Sequence, residues 1–345
     1  MLLPIPTPDR ALSNYGQLVS DSDLEELRRL AEPLQGARVL HLTATAAGTH
    51  LAGTIRALVP LMRDLGLDAQ WAMPEPGPDY DQWGWAVYEA LAGGEVGWTS
   101  ELLGRWEGYA DRNAALLDSD PDFVVVHDPQ PLPILDRLRL QRDTTAAWLW
   151  HCHLDLRDAQ PEAWGVVEKY IGHYAGLVLE QTAFAGNHMD ERASAVIPPA
   201  IDPLSPRNVE IPHEDQELVL HLLGINPQRQ LMTQFCRMDM WTDSTSAFDV
   251  FRQVKPVLPD LQLAIVAQMG TDTGAYLQFE QLARRAANEP DVHLFSSVDG
   301  VGDVEINVLQ RASTVNFQRS VRKGFAPILM EASWKGRPVV AGVSG

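Results

Sequence analysis

A chain of 345 residues, 45% hydrophobic and 21% charged, is long enough for two compact domains that each bury a core. A formal charge of −19 argues against nucleic acid as a partner, because nucleic-acid binding needs a basic footprint to displace counterions. No apolar run approaches the ~20 residues of a membrane helix, and Met1-Leu2-Leu3-Pro4 lacks signal-peptide character, so no membrane partner and a cytoplasmic location are expected. Two cysteines, Cys152 and Cys236, cannot build a disulfide framework, which agrees with a reducing compartment.

Residues 21–34 carry Leu24, Leu27 and Leu30 at helical spacing, with acids early and Arg28-Arg29 late. A buried strand at 38–42 runs through a small-residue loop (43–48) into a helix at 50–65 that ends on Gly66. Strand, small-residue loop and helix open a nucleotide-binding α/β unit. Residues 68–73 are the next strand, and 80–117 form a helical region rich in tryptophan (Trp83, Trp85, Trp98, Trp106), read as core before sugar-stacking. Strands at 123–126, 146–155, 176–180 and 195–197 follow, with a helix at 162–174. Residues 208–217 are polar and loop-like, a hinge, after which strands and helices alternate again from 231 to 318. A glycine-containing loop, a short helix and the Lys335-Gly336-Arg337-Pro338 turn then lead to a last strand at 339–341. The expected fold is therefore α/β, with two Rossmann-like parallel-sheet domains (1–207 and 208–345) facing a cleft. The second is expected to be incomplete, since its last strand lies four residues from Gly345 with Val339 and Val340 uncovered.

Polar residues collect where buried strands end, which is where open α/β sheets hold ligands. His127-Asp128-Pro129-Gln130 follows one strand, and His151, His153 and Asp155 alternate on another. Three readings stand side by side: a hydrogen-bonding sugar or phosphate pocket, which is favoured; histidines satisfied within the fold; and a metal site, set aside because no further ligand completes it. Arg237 ends the 231–236 strand, where its fork could pair with a diphosphate or with a neighbouring acid. Arg322 and Gly324 precede the helix containing Glu331, a second loop compatible with an anion. Glu331 reads either as a ribose ligand or as a helix-surface charge. No nucleophile elbow, phosphate-binding P-loop or zinc-protease motif is present.

Collinear segments from about Gly36 onward resemble one family, the trehalose-glycosyltransferring synthases within family 4 of the GT-B glycosyltransferases. They are the run Leu58 to Ala69, His127-Asp128-Pro129-Gln130-Pro131, Cys152-His153-Leu154-Asp155-Leu156, Pro198 to Ser205, Arg237-Met238-Asp239-Met240-Trp241, Gln310-Arg311-Ala312-Ser313 and Trp334-Lys335-Gly336-Arg337-Pro338. The resemblance implies a hexosyltransferase that moves glucose, with retention, from a nucleotide-glucose donor to glucose. It implies small-molecule sugar and nucleotide-sugar partners, no tightly bound cofactor, and nucleotide-glucose as co-substrate. No motif requires Mg2+ or any other metal, and a homodimer is left open. It places the donor on Gly48, Arg237, Arg322, Gly324, Phe325 and Glu331, and the acceptor sugar on His127, Asp128, Gln130, His153 and Asp155. No protein nucleophile is expected, and charge stabilisation of the leaving diphosphate falls to Arg237 and Lys323.

The chain departs from the family pattern near those positions. Thr242 stands where the pattern has the donor-phosphate lysine, Lys323 where it has a glutamate, and Gly324-Phe325-Ala326 where it has Gly-Phe-Gly. Gly48-Thr49-His50 replaces a triple-glycine loop, and His151 replaces an arginine. A second expectation follows, from a different class: a family-like protein that binds sugar or nucleotide without turnover.

Overall fold

The computed structural model describes residues 2–118, 120–188, 193–238, 243–269, 273–319 and 326–342. The chain divides into two compact units, residues 1–200 and 201–345. The sequence placed this division after Arg207. Residues 201–207 side with the second unit because Arg207 pairs with Asp303 at 2.6 Å and the Pro206 carbonyl accepts from Asn307 at 3.0 Å.

In the first unit, β1 (Leu3–Pro4), α1 (Asp21–Ala31), β2 (Arg38–Leu42), α2 (His50–Asp64), β3 (Asp68–Met73), α3 (Tyr80–Leu91), α4 (Ser100–Leu116), β4 (Phe123–Val126), α5 (Ile134–Gln141), β5 (Ala147–Cys152), α6 (Pro161–Ile171), β6 (Gly176–Leu179) and β7 (Ala193–Val196) follow in order. The sheet order is β1-β3-β2-β4-β5-β6-β7, all parallel except the short β1. Alternate residues of its strands bury opposite faces: Leu40, Leu42, Val124 and Val126 join Trp83, Trp106 and Trp150, whereas Val39 joins Ile55, Val59 and Trp71. Each fully buried tryptophan removes roughly 200 Å² from water, or about 5 kcal/mol of transfer free energy.

Local signals explain the element ends. Thr49 caps α2 by accepting the Ala52 N–H at 3.1 Å. Gly66 closes that helix at φ +91°, and a Cβ there would fall 2.0 Å from the Gln35 amide oxygen. The region expected as one helical stretch, 80–117, breaks after Leu91 because Gly93 turns the chain at φ +86°. The tryptophans Trp83 and Trp106 are core, 3% and 0% exposed.

In the second unit, α7 (His213–Leu222), β8 (Leu231–Arg237), α8 (Ser246–Val254), β9 (Gln262–Gln268), α9 (Thr273–Ala286), β10 (Val292–Ser296), α10 (Asp303–Ala312), β11 (Val315–Gln318), α11 (Pro327–Trp334) and β12 (Val339–Ala341) build a parallel sheet ordered β10-β9-β8-β11-β12. The central strands β8 and β9 bury apolar residues on both faces, against Phe248, Phe251 and Leu282 on one side and Val308 and Leu309 on the other, with Thr233, Gln234 and Gln262 as buried polar exceptions. The polar stretch expected as a hinge instead enters a helix at His213, whose first-turn Glu214 and Asp215 complement the helix dipole. β12 is the edge strand, with Val340 53% exposed. Among the described residues, no helix is long and apolar enough to cross a membrane.

Candidate functional site

Four neighbouring parallel strands of the first unit, β2, β4, β5 and β6, each bring a polar side chain to their carboxyl ends. These are His41 within β2, His127 just after β4, His153 just after β5 and Glu180 just after β6. They join in one hydrogen-bonded row across the sheet. His41 Nδ1 lies 2.9 Å from His127 Nε2, His127 Nδ1 lies 3.1 Å from His153 Nε2, and His153 Nδ1 lies 2.7 Å from Glu180 Oε1. Successive imidazole planes differ by only 19° and 20°, so the rings meet edge to edge. At the far end His41 Nε2 contacts the Met62 sulfur of α2 at 3.3 Å.

His41 and His127 are buried, at 3% and 2% exposure, while the His153 side chain keeps 21% of its surface open. Burial lowers the His41 and His153 pKa to about 4 and that of His127 well below its ordinary value, so these imidazoles are neutral at pH 7. Burial also lowers His151 to about 3, and neighbouring His153 adds to that shift. Burial raises Glu180 to about 7 and Asp128 to about 6; the Ala44 N–H, donating to Asp128 at 2.6 Å, opposes the second shift.

The structure thus joins His127 and His153 of the expected acceptor set, and Asp128 follows His127 at the same strand end, bonded to the Ala44 N–H. Gln130 and Asp155 are placed differently. Gln130 is 7% exposed and its amide donates to the Gly84 carbonyl at 2.8 Å, which commits that amide to the contact with α3. Strand β5 stops at Cys152, so Asp155 leaves the alternation expected for it, and Arg157 holds its carboxylate through Nε at 2.9 Å and Nη2 at 2.6 Å. His41 and Glu180 belong to the row although sequence reasoning did not single them out. The available signal for Glu180 was a polar residue closing a buried strand, the same signal that marked His127. The metal reading, set aside for want of a further cluster, had its ligands in His151, His153 and Asp155; folding instead brings a ring nitrogen of His127, from the adjacent strand, within 4.8 Å of those of His151 and His153, and gives Asp155 to Arg157.

Gly48 sits at φ +76° ahead of α2, a conformation that suits glycine. In the second unit, Arg237 closes β8 opposite Gln268 of β9. Glu331 is 3% exposed; its carboxylate accepts from Gln310 Nε2 at 3.3 Å and lies 3.9 Å from Arg207, so the helix-surface alternative does not hold. Arg322, Lys323, Gly324 and Phe325, like Asp239 and Thr242, lie outside the described residues.

The same architecture and sequence recur elsewhere. Residues 41–186 match the family model described as the trehalose synthase N-terminal domain. Trehalose synthase of Rubrobacter xylanophilus is 33% identical over 345 residues, 99% of this chain and 83% of its own length. Trehalose synthase of Thermococcus litoralis is 31% identical over 339 residues, 97% of this chain and 81% of its own length. The chain belongs to the trehalose synthase family. That membership makes it a glycosyltransferase of trehalose metabolism. The fold agrees: the α,α-trehalose 6-phosphate synthase of Burkholderia multivorans superposes with a TM-score of 0.65 at 16% identity, covering 89% of this chain and 83% of that one. The expected GT-B architecture of Rossmann-like parallel-sheet domains is the one observed.

Proposed function

We propose that the protein transfers glucose from a nucleotide-glucose to glucose, with retention at the anomeric carbon. The observation that carries this reading is the match to trehalose synthases along 97–99% of the chain, through both units. In this reading the second unit takes the donor diphosphate on Arg237, and the first unit takes the acceptor sugar at the strand end that carries Asp128. The bond from the anomeric carbon to the diphosphate oxygen breaks as the bond to the acceptor oxygen forms on the same face. The acceptor hydroxyl proton leaves on the departing diphosphate. Arg237 lowers the barrier by meeting charge that grows on the leaving group, a contribution of about 3–4 kcal/mol for one such donor. A second reading, binding without turnover, is favoured by Thr242 and Lys323, which replace two charged positions of the family pattern.

Calorimetry with nucleoside diphosphates and nucleotide-glucoses, followed by product analysis with glucose as acceptor, separates the two. Trehalose formation supports transfer, and donor binding with no disaccharide supports the second reading. Arg237→Ala is expected to abolish nucleotide binding; unchanged affinity would remove Arg237 from the donor site.

A further inference from the structure

The two ends of the histidine row demand opposite proton directions, and the demands collide between His127 and His153. The Met62 sulfur can only accept, so His41 Nε2 carries a proton and its Nδ1 is left as an acceptor. His127 Nε2 must then donate to that atom at 2.9 Å, which leaves a lone pair on His127 Nδ1. At the other end the Glu180 carboxylate accepts from His153 Nδ1 at 2.7 Å, which leaves a lone pair on His153 Nε2. These lone pairs face each other at 3.1 Å. A metal ion reconciles them, and so does one added proton, whether shared between the two rings or held on Glu180, which then donates to His153 Nδ1 and frees His153 Nε2 to donate to His127.

His151 distinguishes the two. Its Nε2 is buried with no hydrogen-bond partner among the described residues, and its ring centre lies 4.2 Å from that of His153. One ring nitrogen each from His127, His151 and His153 falls within 4.8 Å of the others. An added proton in either place leaves the third nitrogen unmatched, whereas an ion that prefers imidazole takes all three.

We propose that His127, His151 and His153 bind a single divalent transition-metal ion of the zinc type, with His41 and Glu180 as the hydrogen-bonding partners that orient two of the ligands. Two imidazole nitrogens bonded at ~2.0–2.1 Å to one tetrahedral ion stand roughly 3.3 Å apart, so binding needs the facing His127 and His153 rings, now 3.1 Å apart at their nitrogens, to tilt toward a common point beside that contact. The carboxylate on His153 Nδ1 is the usual outer partner of a metal-bound histidine, fixing its tautomer and raising its basicity. Three protein ligands leave the fourth position for water or another oxygen ligand, as in open zinc sites. The ion site stands on the first unit's own geometry and does not depend on the transfer reading.

The full chain, stripped with a chelator, is titrated with Co2+ while visible absorption is followed, then with Zn2+ in competition with a chromogenic chelator. One equivalent of cobalt with the bands of a four-coordinate ion, displaced by one equivalent of zinc, is the expected result. Glu180→Gln lowers zinc affinity on the order of 10–100-fold. His151→Phe, which keeps a ring in place, lowers it further and removes the bands while the far-ultraviolet dichroism stays that of the parent. If that variant does not fold, His151→Gln serves the same purpose. Cobalt uptake that is absent, that lacks the four-coordinate bands, or that survives loss of the His151 imidazole unchanged overturns the proposal and assigns the gap to a proton.

Discussion

Asp128 reaches from the end of β4 to the loop that follows β2, where its Oδ2 accepts the Ala44 N–H at 2.6 Å. This contact ties together two strand ends of the histidine row. A carboxylate bonded to a backbone N–H contributes about 1.5–3 kcal/mol. Asp128→Ala should therefore speed hydrogen exchange at Ala44, while its loss of stability stays below that figure because burial of the carboxylate, which raises its pKa to about 6, already offsets part of the bond. Asp128→Asn, whose amide oxygen can still accept, should keep exchange near the parent rate. Equal exchange in the two variants would show that the loop is held by other means.

Trp106 on α4 is fully buried, donates to the Gln130 carbonyl at 2.8 Å and meets Tyr170 edge-on at 5.5 Å. Removing it leaves both a cavity and an unmatched carbonyl. Trp106→Ala should cost about 3–5 kcal/mol in urea unfolding. Trp106→Phe should cost about 1–3 kcal/mol, mainly the lost hydrogen bond. A Phe variant as stable as the parent would mean that water replaces the indole N–H.

In the second unit, Thr233 sits inside β8 with no exposure, 2.7 Å from Ser313 Oγ and 3.0 Å from Asn316 Oδ1. Thr233→Val keeps the shape and deletes the hydroxyl, stranding Asn316. A loss of about 1–3 kcal/mol is expected by chemical unfolding. Thr233→Ser, which keeps the hydroxyl and loses one methyl, should fall nearer 1 kcal/mol.

Lys335 holds the start of the second unit to α10 and α11: its Nζ donates to Asn208 Oδ1 at 2.8 Å, Gln310 Oε1 at 2.6 Å and the Glu331 carbonyl at 3.3 Å. Burial lowers its pKa to about 8; the Glu331 carboxylate opposes the shift, and Arg311 and Arg207 add to it. Between about pH 8 and the unfolded value of 10.5, the unfolded chain binds a proton that the folded chain does not. Stability from this group therefore rises as pH climbs through that window. Melting temperatures measured from pH 7.5 to 10 should show the parent gaining on Lys335→Met as pH increases. A difference between the two that is independent of pH would place the Lys335 pKa at its ordinary value.

Much of the architecture was legible in the chain itself. Runs such as Phe123-Val124-Val125-Val126, short and β-branched, read as strands buried on both faces, and Gly66 at the end of an apolar helical pattern reads as the residue that closes a helix. The helices Ile134–Gln141 and His213–Leu222 escaped notice because each is short. His213–Leu222 buries only Leu220 among its side chains and begins with acids that read as loop.

The sequence by itself determined the family, the succession of strands and helices, and the gathering of polar residues at strand ends, because each rests on neighbours in the chain. Only the tertiary structure decided which of those residues meet. Parallel strands adjacent in the sheet are distant in sequence, so the row from His41 through His127 and His153 to Glu180 exists only once four strands lie side by side. The same packing turned Gln130 inward and gave Asp155 to Arg157, because a side chain's partner is set by where its strand stops.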